Sequence, residues 1–275
     1  MSSDLDFTKP LTPWQIVQVA RMPGRPLIAD YIAGLCDDFV ELHGDRVFGD
    51  DRGMIGGFAT IGGERVMLIG HQKGKNVEDN IACNFGMANP EGYRKAMRLM
   101  KLAEKYHLPV VSLVDTPGAY PGLEAEARGQ AEAIARNLTV MATLRTPFII
   151  VVTGEGGSGG ALGIAVGDVV MMLQYAVYSV ISPEGCASIL WRDGKKAPEA
   201  AEAMKITAGS LLELGIIDEI LPEPPGAAHS DAAAMVKTVR AAVLRRIKEL
   251  KPLSGDELEA RRYAKLRRMG STTLG

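Results

Sequence analysis

P-F-I-I-V-V-T-G-E-G-G-S-G-G-A-L-G-I-A-V-G, Pro147 to Gly167, is the stretch on which the reading of this chain turns. Phe148 to Val152 is an unbroken apolar run of strand length, the pattern of a strand covered on both faces. It stops at Thr153-Gly154 and passes through Gly156-Gly157-Ser158-Gly159-Gly160. An Ala/Leu/Ile/Val segment with spaced glycines follows and reads as a small-residue buried helix. The turn between them has almost no side chains, so backbone N–H groups can reach a ligand that any Cβ would block. A helix starting near Ser158 would present its first amides, unpartnered and partly positive, to whatever sits above the turn.

Upstream, the same grammar recurs. Val110 to Val114 is a second apolar strand, and it runs into Asp115-Thr116-Pro117-Gly118-Ala119-Tyr120-Pro121-Gly122 and then a helix over about 124–144. Strand, glycine-bearing loop and helix, twice over, place the chain in the α/β class, with helices on a mostly parallel sheet. Ligands of such sheets sit beyond the carboxyl ends of the strands, so the loops 115–122 and 154–160 can face one site. Elsewhere the pattern predicts a helix over 28–43 and a hairpin of Gly53–Ile61 and Glu64–His71 around Gly62-Gly63. It also predicts a helix opened by Asn89-Pro90 and strands at 169–173, 177–182 and 216–221. Further helices are expected over 198–208 and 235–250.

The 275 residues are 47% hydrophobic and 23% charged, ample for a large core, with a net charge of −2 that points to neither nucleic acid nor an anionic membrane. Aromatics, at 5%, are too few for base-stacking platforms. Cys36, Cys83 and Cys186 form no C-x-x-C pair, which signals neither a zinc ribbon nor a disulfide framework. No segment has the apolar length of a membrane span or a secretion signal, and the expectation is a cytoplasmic protein.

Asp115-Thr116-Pro117-Gly118 looks like the switch aspartate of a GTPase, but that chemistry needs an upstream G-x-x-x-x-G-K-[ST], and none exists. The bland alternative is a tight turn with φ fixed by Pro117 and Pro121. Gly156 to Gly160 matches the nucleophile elbow G-x-S-x-G, with Ser158 as nucleophile. A hydrolase would then rely on His229, the sole downstream histidine, with Asp168, Asp193 or Asp218 as its acid. Lys73 and Lys75, in G-H-Q-K-G-K (70–75), suit a phosphate or carboxylate contact or a solvated basic loop. His43, His107 and His229 lack metal-ligand spacing. The Lys/Arg-rich stretch 237–268 reads as a solvated helix face, and the role of Tyr178 to Trp191 stays open on composition alone.

Together G-H-Q-K-G-K (70–75), N-F-G-M (84–87), P-E-G-Y-R-K-A (90–96), D-T-P-G-A-Y-P-G (115–122), R-G-Q-A-E-A-I-A-R-N-L (128–138), G-E-G-G-S-G-G-A-L (154–162) and Q-Y-A-V-Y-S-V-I-S-P-E-G-C-A-S-I-L-W (174–191) closely resemble the carboxyltransferase alpha-subunit family of bacterial and plastid acetyl-CoA carboxylase. Many members carry a longer helical N-terminal extension. The resemblance implies a crotonase-like spiral of ββα units, divided into an N-terminal arm (1–27), a carboxyltransferase domain (28–250) and a basic C-terminal tail (251–275). It implies transfer of a carboxyl group from carboxybiotin, on a biotin carboxyl carrier protein, to acetyl-CoA, giving malonyl-CoA for fatty acid synthesis. It assigns the backbone amides of Gly159 and Gly160 to an oxyanion hole for the biotin ureido oxygen. Asp115 to Gly122, with Gly156, Gly157 and Ser158, would shape the biotin pocket. A beta subunit, in an α2β2 assembly, would bring the zinc ribbon and most of the CoA site, and a separate biotin carboxylase would use the ATP. Two other readings remain beside it: a serine hydrolase acting through Ser158, and a CoA-binding module without turnover.

Overall fold

A computed structural model describes residues 5–270; residues 1–4 of the expected arm and 271–275 of the expected tail lie outside the described residues. Thr12 and Gln15 form a reciprocal capping box, with Pro13 in the first helical position, and open α1, Pro13–Ala20. The helix expected over 28–43 is cut short. α2 spans Ile28–Leu35, Cys36 is already extended, and β1, Asp38–Glu41, follows. There Phe39 packs on the core while Val40 is 59% exposed, a period of two that fits a strand and not a helix. β2, Met54–Ile61, and β3, Glu64–His71, form the expected hairpin. Gly62 and Gly63 join them at φ +57° and +80°, the two left-handed residues a tight hairpin turn requires.

α3, Val77–Ala82, and a 3₁₀ turn at Asn84–Gly86 lead to α4, Pro90–Lys105, which starts at Asn89-Pro90 as the sequence predicts. β4 is Val110–Thr116. The single helix expected over 124–144 is two, α5, Leu123–Ala127, and α6, Gln130–Thr143, because Gly129 breaks it at φ +85°. β5 runs past Val152 to cover Phe148–Gly157, and α7, Ser158–Leu162, is one short helix rather than a long buried one. After β6, Val169–Leu173, the next strand, β7, stops at Val177–Ser179, because Ser182 accepts the Gly185 N–H and caps α8, Pro183–Trp191. The helix expected over 198–208 is α9, Ala197–Ala203, which stops before Lys205 at φ +55°, and a separate α10, Ala208–Glu213, follows it unforeseen. β8, Glu219–Leu221, α11, Ala232–Leu250, and α12, Gly255–Arg268, complete the order.

The strands lie in the order β1-β2-β3-β4-β5-β6-β8, with β7 paired on the extended end of β5. β1/β2 and β2/β3 are antiparallel and all other pairs parallel, so β3 to β6 end on one side. Every residue of β5 except Glu155 is buried, as its apolar run demands. α4 packs on β2, β3 and α6, while α11 packs on β5, β8 and α2. The stretch expected as a basic tail supplies α12, whose Arg262 is 1% exposed. Its Nη1 donates to the carbonyls of Met141 (2.9 Å) and Leu144 (2.7 Å) at the end of α6, and its Nη2 pairs with Asp168 at 2.9 Å. A guanidinium there satisfies orphan helix carbonyls and a buried carboxylate at once.

Candidate functional site

The site follows from how β4 and β5 end. They pair in register up to Val114↔Val152, slip, and rejoin at Thr116↔Gly156. Beyond the slip, the backbone of 115–119 folds over the glycine turn. The Thr116 hydroxyl fixes this fold by donating to the Gly118 carbonyl (2.7 Å) and accepting the Gly118 N–H (3.1 Å). A Cβ at Gly157 would stand 2.1 Å from the Pro117 carbonyl oxygen, and one at Gly160 would stand 2.3 Å from the Gly118 carbonyl carbon. Both distances are impossible for real atoms, so these two glycines exist to let one loop lie on the other. The expectation of a glycine wall pressed against a ligand is therefore corrected at these positions. Gly159 differs: a Cβ there would meet only Ile134 Cδ1, at 3.5 Å.

Ser158, Gly159 and Gly160 are the first three residues of α7, so their amides have no acceptor four residues back inside the helix. Ser158 is exposed, and Ser158 and Gly159 line an open cavity of about 570 Å³. Leu162, Tyr178, Val180 and Ile206 supply much of its apolar wall. Ser158 itself has φ +49°, a left-handed value that costs a non-glycine residue about 1 kcal/mol. No described group hydrogen-bonds its hydroxyl, and His229 packs against Phe7 with ring centroids 6.3 Å apart. Asp168 is held by Arg262, Asp218 by Lys265, and Asp193 caps the Lys195 amide. The elbow geometry is present without a base, and the hydrolase reading loses its machinery.

Asp115 points away from the cavity into a charged cluster. Its Oδ1 accepts from Lys73 Nζ (2.6 Å) and from the Glu155 N–H (2.9 Å), and Lys73 also faces Glu155 Oε2 at 3.5 Å. Burial pulls the Lys73 pKa down, but the two carboxylates outweigh it and hold the ammonium above its ordinary value. Lys73 thus braces β4 against β5. Lys75, 63% exposed in its side chain, pairs with Asp30. Both lysines line one cleft of about 630 Å³, together with Arg21 and Arg25, on the far side of Asp115 from the apolar cavity's lining residues. Of the remaining loop residues, Pro117 and Pro121 are exposed, Ala119 and Gly122 half-buried, and Tyr120 is anchored. Its N–H donates to the Ala88 carbonyl (3.1 Å), and Gln130 bridges the carbonyls of Ala88 and Tyr120.

Three residues of this region carried no assigned role in the sequence. Glu155 sits in the glycine string but reads only as its polar member. Arg21 sits in the arm. His71 ends β3, 1% exposed, with neither ring nitrogen hydrogen-bonded. Burial holds it neutral, with a pKa lowered to about 4 despite the nearby Asp115. A histidine after an apolar strand was visible; that it lies beneath Gly160 was not.

Among the described residues no helix is long and apolar enough to cross a membrane. Residues 2–270 match the family described as acetyl co-enzyme A carboxylase carboxyltransferase-like. Among curated relatives, the acetyl-coenzyme A carboxylase carboxyl transferase subunit alpha of Geobacter metallireducens is 60% identical over 94% of this chain and 81% of its own. The protein of the same name from Burkholderia multivorans is 57% identical over 96% and 82%. Among solved structures, the transcarboxylase 12S core superposes with a TM-score of 0.67 at 19% identity, covering 86% of this chain and 44% of that one. A Pseudomonas malonate decarboxylase hetero-tetramer gives 0.67 at 17% identity, over 87% and 96%. The fold is thus the crotonase-like fold of carboxyltransferases, and the chain belongs to the acetyl-CoA carboxylase carboxyltransferase alpha-subunit family.

Proposed function

We propose that the chain is the alpha subunit of an acetyl-CoA carboxylase carboxyltransferase and moves a carboxyl group from carboxybiotin to acetyl-CoA, forming malonyl-CoA. The observation that carries this reading is the cavity floored by Gly159 at the carboxyl end of β5. Its apolar wall suits a fused-ring body, and the amides of α7 suit an oxygen that becomes negative. Carboxybiotin, brought by the carrier protein as a substrate, supplies CO2 by breaking its N–C bond. The charge left on its ureido oxygen is met by the N–H groups of Gly159 and Gly160. A preorganised donor of this kind is worth about 3–4 kcal/mol in the transition state. The methyl proton of acetyl-CoA passes to the biotin nitrogen, and the thioester enolate forms its new C–C bond to CO2. Neither step needs a side-chain nucleophile, in keeping with Ser158 lacking a base.

Asp115 to Gly122 act here as the backing on which the glycine turn rests beside the pocket, held in place by Lys73. Lys73 works through Asp115 rather than by touching CoA. The second oxyanion hole, most of the CoA site and a zinc ribbon belong to a beta subunit in an α2β2 assembly, ATP to a biotin carboxylase, and the whole to the cytoplasm. The test is reconstitution with a beta subunit and a biotinylated carrier, scored by malonyl-CoA formation. The complex is expected to turn over and the isolated chain to be inert. Turnover by the isolated chain would refute the shared site, and a well-assembled but inactive complex would favour a CoA-binding module.

A further inference from the structure

The glycine turn is gripped by residues that precede α2. Arg25 inserts beside β5, where its Nη2 donates to the Thr153 carbonyl at 3.0 Å and its guanidinium forms a bidentate pair with buried Glu223, 2.8 Å on each arm. Arg21, the residue that caps α1, takes the next hold. Its Nε donates to Glu155 Oε1 at 2.7 Å, and its Nη1 to Glu184 Oε1 at 2.6 Å. Glu155 therefore carries a cation on each oxygen, Arg21 on one and Lys73 on the other. Glu184 lies in the first turn of α8, directly after the β7 segment whose Tyr178, Ser179 and Val180 wall the large cavity.

The junction closes on a small void of about 30 Å³ lined by Val17, Arg21, Pro117, Glu155, Gly157 and Pro183. α1, the 115–122 loop, the glycine turn and the start of α8 all meet there. Attachment of the arm does not depend on Arg21. Val17 and Ala20 pack with Val177, Ala201 and Ile206, and Arg25 is sealed onto Glu223. What Arg21 alone does is bridge a carboxylate at the end of β5, next to the glycine turn, to one in the first turn of α8; neither carboxylate lines the cavity itself. Burial would lower its pKa, and Glu184 and Glu155 outweigh that, so it is a permanent cation.

We infer that Arg21 is a positioning residue for carboxyl transfer, holding through Glu155 and Glu184 the start of α8 against the end of β5, where β7 already pairs with the glycine turn. The inference rests on the reading of that cavity as the carboxyl donor's site. Without the guanidinium, Glu155 keeps Lys73 but Glu184 loses its partner, so the start of α8 and the residues leading into it are free to shift relative to the glycine turn. Small misplacements of this kind cost up to about a hundredfold in rate.

The experiment uses the reconstituted complex with biotinylated carrier, comparing Arg21→Met, Arg21→Lys, Glu184→Gln and the double variant Arg21→Met/Glu184→Gln. Arg21→Met is expected to lower kcat about tenfold, with KM for acetyl-CoA within about twofold of wild type and the melting temperature little changed. Arg21→Lys should restore most of the rate. Glu184→Gln should slow the reaction alone yet add nothing to Arg21→Met, since both break one bridge. A kcat for Arg21→Met within about twofold of wild type, multiplicative effects in the double variant, or a rate loss that only tracks the unfolded fraction would each overturn the inference. Failure of the underlying reading looks different, because the wild-type complex would then form no malonyl-CoA.

Discussion

The sheet carries a buried arginine–carboxylate pair at each end, and the two ends are put to different use. At the amino end, Arg262 closes the carbonyls of α6 and Asp168, and the cleft of about 370 Å³ beside it is walled largely by charged side chains, Asp218, Arg261 and Lys265 among them. At the carboxyl end, Arg25 closes Glu223 and the Thr153 carbonyl, but beyond it the chain turns through glycine and opens on the apolar cavity. The same device anchors a terminal segment in both places. Only at the carboxyl end do missing Cβ atoms let two loops stack so closely that helix amides are left facing a void. The comparison separates what holds this molecule together from what lets it act.

Adding a side chain where the loops stack should have the largest consequence. Gly160→Val places its Cβ 2.3 Å from the Gly118 carbonyl carbon, so the 115–122 loop must lift. We expect the carboxyltransferase rate to fall at least about a thousandfold, since the amides and the loop are displaced together. The melting temperature should fall too, so this variant reports on loop stacking more than on one donor. Assembly of the complex with near-normal activity would show that the stacking is dispensable.

The amino end should respond in the opposite sense. Arg262→Met leaves the buried Asp168 charge with only the Phe148 N–H as a donor and takes the guanidinium from the α6 carbonyls, and should cost about 3–5 kcal/mol in urea unfolding. The rate of the protein that remains folded should stay close to wild type. A kcat loss matching that of Gly160→Val would erase the distinction between the two ends.

That distinction was only half legible in the sequence. The apolar runs at 110–114 and 148–152 and the Gly62-Gly63 hairpin were plain, because strand burial and left-handed turns dictate composition directly. The stacking of 115–119 on 154–160 was not, because G-G-S-G-G looks the same whether its bare face meets a ligand or another backbone. The breaks at Gly129 and Lys205 were hidden by good helix formers on either side. α12 read as a solvated basic stretch because its one buried guanidinium has the same letter as its exposed ones. Arg21 and Glu155, 134 residues apart, share nothing local. Pairings of that range are set by tertiary packing alone.

His71 tests the carboxyl end through pH. Burial lowers its pKa to about 4 in the fold, against an ordinary 6.5, so below pH 6.5 the unfolded chain binds a proton that the folded one refuses. Its contribution is therefore complete above that value, fades as pH falls, and levels off below about 4. Between pH 7 and pH 5 the loss from this one group is about 2 kcal/mol. Urea titrations of wild type and His71→Gln should show a shallower pH slope in the variant over that window. Equal slopes would mean that the ring takes up its proton in the fold as readily as in the unfolded chain.

The smallest effect belongs to Ser158, where strain and chemistry can be told apart. At φ +49° a serine is strained and a glycine is not, while glycine gives the unfolded chain more freedom. The two terms nearly offset, so Ser158→Gly should stabilise by only about 0.5 kcal/mol, whereas Ser158→Ala keeps the strain and should be close to neutral. If the α7 amides act without a nucleophile, both variants should keep malonyl-CoA formation within about threefold of wild type. Neither they nor wild type should then hydrolyse activated esters. An esterase activity that vanishes in both would return Ser158 to the role its elbow geometry suggests, and the cavity would have to be read again as an acyl site.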